Sequence, residues 1–223
     1  MTKNLFFGAI AKFLLGVVLV GALIFLPAGT LGFFAGWLLM TILFVPMFGA
    51  DLVMMAKNPG LLEKRLNAKE KERTQSQVVK LSGLMFIAGF LLAGLDFRFS
   101  WLPLPQWVSF LGAGLFLTAY LLYAEVLREN TYLSRTIEVQ QGQKVIDTGL
   151  YGLVRHPMYS ATVLLFLSMP LVLGSVIALI PFLCYPLLIA KRIENEEQVL
   201  EEGLEGYKAY KAKVKYRLIP FLW

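Results

Sequence analysis

Residues 5–26, LFFGAIAKFLLGVVLVGALIFL, carry one charged side chain, Lys12. An apolar run of about 20 residues matches the hydrocarbon thickness of a bilayer when wound as a helix. The pattern recurs at 31–56, 78–97 and 105–125, and in two shorter runs at 158–173 and 175–190. The short runs meet at MPLVLGS, where Pro170 and Gly174 suit a tight turn between two helices. Lys12 lies inside the first run, where its long aliphatic stem lets the ammonium snorkel to the near interface. With 57% hydrophobic and only 16% charged residues, there is too little polar surface to cover a soluble fold. The predicted fold class is all-α: a polytopic helical membrane protein with about six transmembrane helices and a cytoplasmic C-terminal region.

Charge sets the expected orientation. Segment 57–80 holds seven Lys and Arg residues, 124–157 four and 191–217 seven, whereas the opposite connectors hold only Arg98. The positive-inside rule then places both termini in the cytoplasm. The same distribution explains the net charge of +6 as a match to an anionic leaflet and not to nucleic acid. The start, MTKNLFFG, is basic like a signal peptide, but LPAGTLG makes a poor cleavage site and further spans follow, so a retained first span is expected. Segment 57–75 reads as an interfacial basic helix begun after Asn58-Pro59-Gly60. Gly32 and Gly36 form a small-xxx-small pair suited to close helix packing, with at most weak dimerisation.

Several chemistries are excluded. The chain has one His and one Cys, His156 and Cys184, so neither a disulfide nor a Cys/His zinc site can form within it. No P-loop and no G-x-G-x-x-G after a strand is present, and no nucleophile elbow surrounds His156. Polar residues gather instead in two pieces that the orientation puts on one side. In 127–159, LRENTYLSRTIEVQQGQKVIDTGLYGLVRHPMY, Gly142 and Gly149 interrupt any helical period, so an ordered loop with extended stretches is expected. Pro157 suits the first position of the fifth helix, which puts His156 at its N-cap. A helix start offers free backbone donors and a positive dipole end to an acceptor-rich ligand.

The second piece is 190–223. Arg192 and Glu196 lie four apart on one helical face, a spacing that supports a simple ion pair of about 0.3–0.5 kcal/mol or a pair of groups for a ligand. Leu200, Leu204 and Tyr207 continue the apolar face, which suggests that the segment folds back along the membrane surface. Six acidic residues within 194–205 need compensation there, from basic neighbours or a cationic ligand.

Together VIDTGLYGLVRHPMYSA, RIENEEQVL and YKAYKAKVKYRLIPFLW resemble the isoprenylcysteine carboxyl methyltransferase family and its phospholipid methyltransferase relatives, over roughly residues 120–223. The resemblance implies N-terminal transmembrane helices over 1–119 and a methyltransferase core over 120–223. It implies S-adenosylmethionine as cofactor, taken up from the cytoplasm, and a lipidic or prenylated acceptor arriving from the bilayer. Carried over by motif, Gln140, Gln143, Lys144, Val145, Ile146, Tyr151, His156, Pro157, Met158, Tyr159 and Glu196 would hold the cofactor. Arg192 would orient the substrate beside Glu196. Leu150 departs from the family pattern, in which Pro often precedes the Tyr. Phospholipid N-methylation is the runner-up, and an NADPH-dependent sterol-type reductase shares a similar C-terminal architecture.

Overall fold

The computed structural model describes residues 3–57, 73–130, 132 and 139–223. Within them the secondary structure is helical, without a named strand: α1 (Lys3–Ala28), α2 (Phe34–Lys57), α3 (Arg73–Phe99), α4 (Gln106–Glu129), α5 (Pro157–Val172), α6 (Val176–Phe182), α7 (Tyr185–Gly203) and α8 (Tyr207–Lys213). A single 3₁₀ turn, Gly149–Gly152, precedes α5. Four of these helices, together with the broken unit 176–203, are long and apolar enough to cross a membrane, and α5 is a shorter apolar helix. The chain is an integral membrane protein of the all-α polytopic class. The expected interfacial helix at 57–75 falls largely outside the described residues.

Packing inside a bilayer gains little from the hydrophobic effect, because lipid is as apolar as the core, so close van der Waals fit carries more of the load. Small residues mark those fits. A Cβ on Gly112 of α4 would sit 2.6 Å from the Val172 backbone nitrogen, so α4 and α5 touch almost backbone to backbone. On α3, a Cβ on Gly94 would meet the Ile24 carbonyl at 2.5 Å, and one on Gly89 the Phe182 ring at 2.3 Å. Gly36 of the GFFAG pair packs against Ile24 and Phe25 of α1, an intrachain contact. One continuous apolar cluster runs from Ile24 to Leu218, joining the N-terminal spans to the C-terminal region.

The turn expected at MPLVLGS is present. Gly174 takes φ +69°, and Ser175 caps α6 by accepting from the Ala178 amide. The Ser175 hydroxyl donates to Asp96 at 2.5 Å, and Asp96 also accepts from the Leu102 amide. The buried carboxylate thereby ties α3, the 100–105 loop and the α5–α6 turn at the end of the bundle remote from His156.

The span expected over 175–190 corresponds to the first part of the apolar unit 176–203, which is long enough to cross a membrane. It breaks at Leu183–Cys184 into α6 and α7. Pro186 has no amide to give to the preceding turn, and the Cys184 amide bonds back to Pro181 in a tighter turn. Beyond the break α7 stays packed on the core through Tyr185, Ile189 and Ile193 and brings Arg192 and Glu196 to Tyr159 at the start of α5.

Candidate active site

Three chain segments converge where α4 ends, α5 begins and α7 ends. Each is held by hydrogen bonds between residues well separated in the chain. Glu129, at the last turn of α4, accepts from the Thr148 hydroxyl at 2.8 Å and the Leu150 amide at 3.2 Å. Gly149, with φ +49°, lets the chain pass against that carboxylate; a Cβ there would lie 2.3 Å from it. The adjacent Asn130 donates its amide to the Tyr151 hydroxyl at 2.8 Å. The 3₁₀ turn is thus pinned to the end of α4 with Tyr151 facing inward.

Pro157 occupies the first turn of α5 and His156 its N-cap, as the sequence implied. The donor-rich terminus expected there is partly spent: the Tyr159 and Ser160 amides both donate to the His156 carbonyl. The segment beyond α8 crosses this point. Arg155 and His156 give their backbone amides to the carbonyls of Tyr216 and Arg217, each at 2.9 Å, and the Ser160 hydroxyl donates to the Leu218 carbonyl.

Beneath the cavity lies a buried ionic knot. Glu197, 2% exposed, accepts from Arg155 Nε at 2.7 Å and from Arg217 Nη2 at 3.1 Å. It faces His156 Nε2 at 3.2 Å and Lys211 Nζ at 3.4 Å. An ionised carboxylate only accepts, so His156 bonds to it through a protonated Nε2. Arg155 also donates to the Val214 and Lys215 carbonyls, both at 2.8 Å. Basic neighbours therefore compensate the acidic stretch at this point. Lys211 additionally pairs with Glu201.

Above the knot, Arg192, Tyr159 and Glu196 form a relay. Arg192 Nε donates to the Tyr159 hydroxyl at 2.9 Å, and that hydroxyl donates to Glu196 Oε2 at 2.5 Å. The Tyr159 ring stacks on His156 with centroids 5.7 Å apart. Helical spacing alone suggested only that Arg192 and Glu196 were neighbours. The fold inserts a tyrosine from α5 between their polar atoms.

The cavity enclosed by these elements measures about 840 Å³ including its open mouth. Of the residues singled out in sequence, Gln143, Lys144, Val145, Ile146, Tyr151, His156, Met158, Tyr159, Arg192 and Glu196 line it. Gln140 and Pro157 do not. Gln140 organises the loop, its side chain donating to the Tyr132 carbonyl and its amide to Gln143 Oε1. Pro157 is buried as the first residue of α5.

Other walls were not anticipated. Asn130, Tyr132 and Arg155 complete one side, and Leu200, Leu204, Tyr207 and Tyr210 the other. Leu204, Tyr207, Tyr210 and Val214 form a small core with Val139, Val145 and Leu200. The apolar face of Leu200, Leu204 and Tyr207 is folded inward over the loop. Burial pushes the Tyr151 phenol up to about 12 and those of Tyr207 and Tyr210 higher still, so these hydroxyls stay neutral at physiological pH. A signal for Glu197 was present in the sequence: it continues the buried stripe Tyr185, Ile189, Ile193, and a carboxylate on an apolar stripe needs a buried partner.

A second cleft of about 1130 Å³ with its opening opens beside α3, lined by Val78, Gly83, Phe86, Thr162, Phe166, Tyr185 and Ile189 among others. It shares Met158, Tyr159 and Arg192 with the first cavity. A chamber lined in part by charged and polar side chains and a more apolar cleft thus meet at three side chains. Residues 110–202 match the isoprenylcysteine carboxyl methyltransferase (ICMT) family.

Over those residues the chain is similar to the ICMT family.

This is a family of membrane methyltransferases, and its matched region carries the α4 anchor, the His156 cap and the Arg192–Tyr159–Glu196 relay. A 91-residue segment is also 29% identical to the Delta(14)-sterol reductase of Mus musculus, covering 40% of this chain and 22% of the reductase. The match takes in under a quarter of that curated relative's length.

Proposed function

We propose that this protein belongs to the ICMT family and transfers a methyl group from S-adenosylmethionine to a lipidic acceptor reaching the site from the bilayer, with carboxyl O-methylation as the favoured reaction. The observation that carries the reading is the sharing of Met158, Tyr159 and Arg192 between the chamber and the more apolar cleft. A reaction between a water-soluble donor and a lipid needs such a junction, because the reacting atoms must meet while each partner keeps its own solvent. In this reading residues 120–223 are the methyltransferase core, and the basic connectors put the chamber and both termini on the cytoplasmic side.

The chamber's residues fit the cofactor. A sulfonium is a cation, and Glu196 with the faces of Tyr151 and Tyr159 supplies acidic and aromatic surroundings, the latter worth about 0.5–2 kcal/mol per good contact. The buried Tyr207 hydroxyl, which has no partner within the described protein, offers a polar contact to a ligand. Gln143 to Ile146, Tyr151, His156, Met158 and Tyr159 would hold the cofactor; Gln140 and Pro157 would act by shaping the loop and the helix start. When bound, the cofactor supplies an electrophilic methyl carbon.

The protein's own part is then positioning and exclusion of water. A carboxylate acceptor is already ionised at neutral pH and needs no base. Arg192, tethered through Nε to Tyr159, would present its guanidinium to that carboxylate at the mouth of the cleft. His156 lies against Glu197 and so serves to fix the chamber floor. An amine acceptor would instead require a proton acceptor, for which Glu196 stands nearest, and this is how phospholipid N-methylation would differ. The similarity to a sterol reductase raises a reductase reading that would require NADPH.

Calorimetric titration of the detergent-purified full chain with S-adenosylhomocysteine and with NADPH decides the cofactor. Binding of NADPH alone would refute methyl transfer. With the cofactor assigned, tritiated-methyl incorporation into a prenylcysteine analogue or into phosphatidylethanolamine vesicles separates the two acceptors.

A further inference from the structure

The proposed function does not say which part of the ligand the Tyr207 hydroxyl would meet. Tyr207, 4% exposed, has the buried side-chain hydroxyl that, among the described residues, finds no hydrogen-bond partner. Its neighbours are satisfied. Tyr210 donates to the Tyr151 carbonyl at 2.8 Å, Tyr151 accepts from Asn130, and Tyr159 bridges Arg192 and Glu196. A buried hydroxyl left without a partner shifts the folding equilibrium against the native state by about tenfold. Native proteins keep such groups where a ligand or water meets them.

The position of Tyr207 says what part of a ligand it would meet. Lining residues on α7 recur each turn as Arg192, Glu196 and Leu200, about 6 Å apart along the axis, and Leu204 caps the helix end. Polarity therefore falls from the end shared with the lipid cleft to the end at Leu204. The ring of Tyr207 packs at that apolar end with Leu204, Tyr210 and Val145, while its hydroxyl feels the charges of Glu197, Glu196 and Arg155. A flat apolar surround with one edge hydrogen bond suits a purine nucleoside. Since burial keeps the phenol neutral, it can donate one hydrogen and accept.

On the reading that the chamber takes S-adenosylmethionine, we propose that Tyr207 is a specificity residue for its nucleoside half. Its hydroxyl donates to an acceptor atom of the base or ribose, while the reacting half lies at Met158, Tyr159 and Arg192. Tyr207→Phe removes only the oxygen, so the packing of α8 is retained.

The test uses the detergent-purified full chain, wild type and Tyr207→Phe, with ligand-free thermal unfolding and titration by S-adenosylhomocysteine and by adenosine. The variant should unfold at the same or a higher temperature without ligand, yet bind both probes about 5–20-fold more weakly. A folded variant that binds S-adenosylhomocysteine within twofold of wild type overturns the assignment. Weakening with S-adenosylhomocysteine but not with adenosine overturns it too, by moving the contact to the amino-acid half. If wild type binds neither probe, the methyl-transfer reading itself falls, a result distinct from a normal wild type with an unaffected variant.

Discussion

Removing the charge of Glu197 while keeping its shape should damage stability far more than the same change at its neighbour Glu196. The Glu197 carboxylate is 2% exposed and Arg155 is 7% exposed, and they meet at 2.7 Å. In Glu197→Gln, the Arg155 guanidinium stays buried, still held to the Val214 and Lys215 carbonyls, and loses its counter-charge. Breaking one side of a buried pair costs about 3–5 kcal/mol, because the remaining charge stays desolvated. Arg217 and Lys211 reach water and can turn outward, so their bonds to Glu197 add little. For a chain of this size each kcal/mol moves the midpoint by about 2–4 °C, giving a fall of roughly 6–20 °C. Circular dichroism melts in detergent, with Glu196→Gln as the matched control, measure it. A Glu197→Gln midpoint equal to that of the Glu196→Gln protein would refute the claim that the knot fastens the tail onto the start of α5.

Other perturbations separate chemistry from scaffold. Arg192→Lys should lower turnover by about 10–100-fold through loss of a charge-assisted bond, while calorimetry finds S-adenosylhomocysteine affinity nearly unchanged; equal turnover removes its orienting role. Gly83 has nothing within 4 Å of its Cβ position and lines the apolar cleft. Gly83→Phe should therefore raise KM for a lipidic acceptor by about tenfold and leave cofactor affinity alone, as steady-state kinetics and calorimetry would register. Gly112→Ala should cost about 1–3 kcal/mol by pushing α5 off α4. Gly114→Ala, two residues along and facing open space, should melt no lower than wild type.

Periodicity and charge needed no structure to be read. A run such as 5–26 can satisfy its backbone in a membrane by winding into a helix, so length and apolarity alone announce α1 to α4. The proline after His156 announced the start of α5, because in the first turn the amide that proline lacks would have no intrahelical partner. The loop 143–146 and the side chains Tyr151, Met158, Tyr159, Arg192 and Glu196 were placed by motif, and the fold brings them to one chamber. The break at Leu183–Cys184 was missed because the apolar pattern runs through it; only the backbone bonds lost around Pro181 and Pro186 mark it.

The sequence by itself determined that the chain crosses a membrane as helices and that its polar groups gather in two late segments, since both follow from local composition. Tertiary structure decided what those segments become. It alone puts Tyr159 between Arg192 and Glu196, and buries Tyr207 against Leu204 and Val145. It alone makes Glu197 a buried counter-ion for Arg155, 42 residues earlier. Such pairings join residues far apart in the chain, and desolvation fixes them only after the intervening helices have packed.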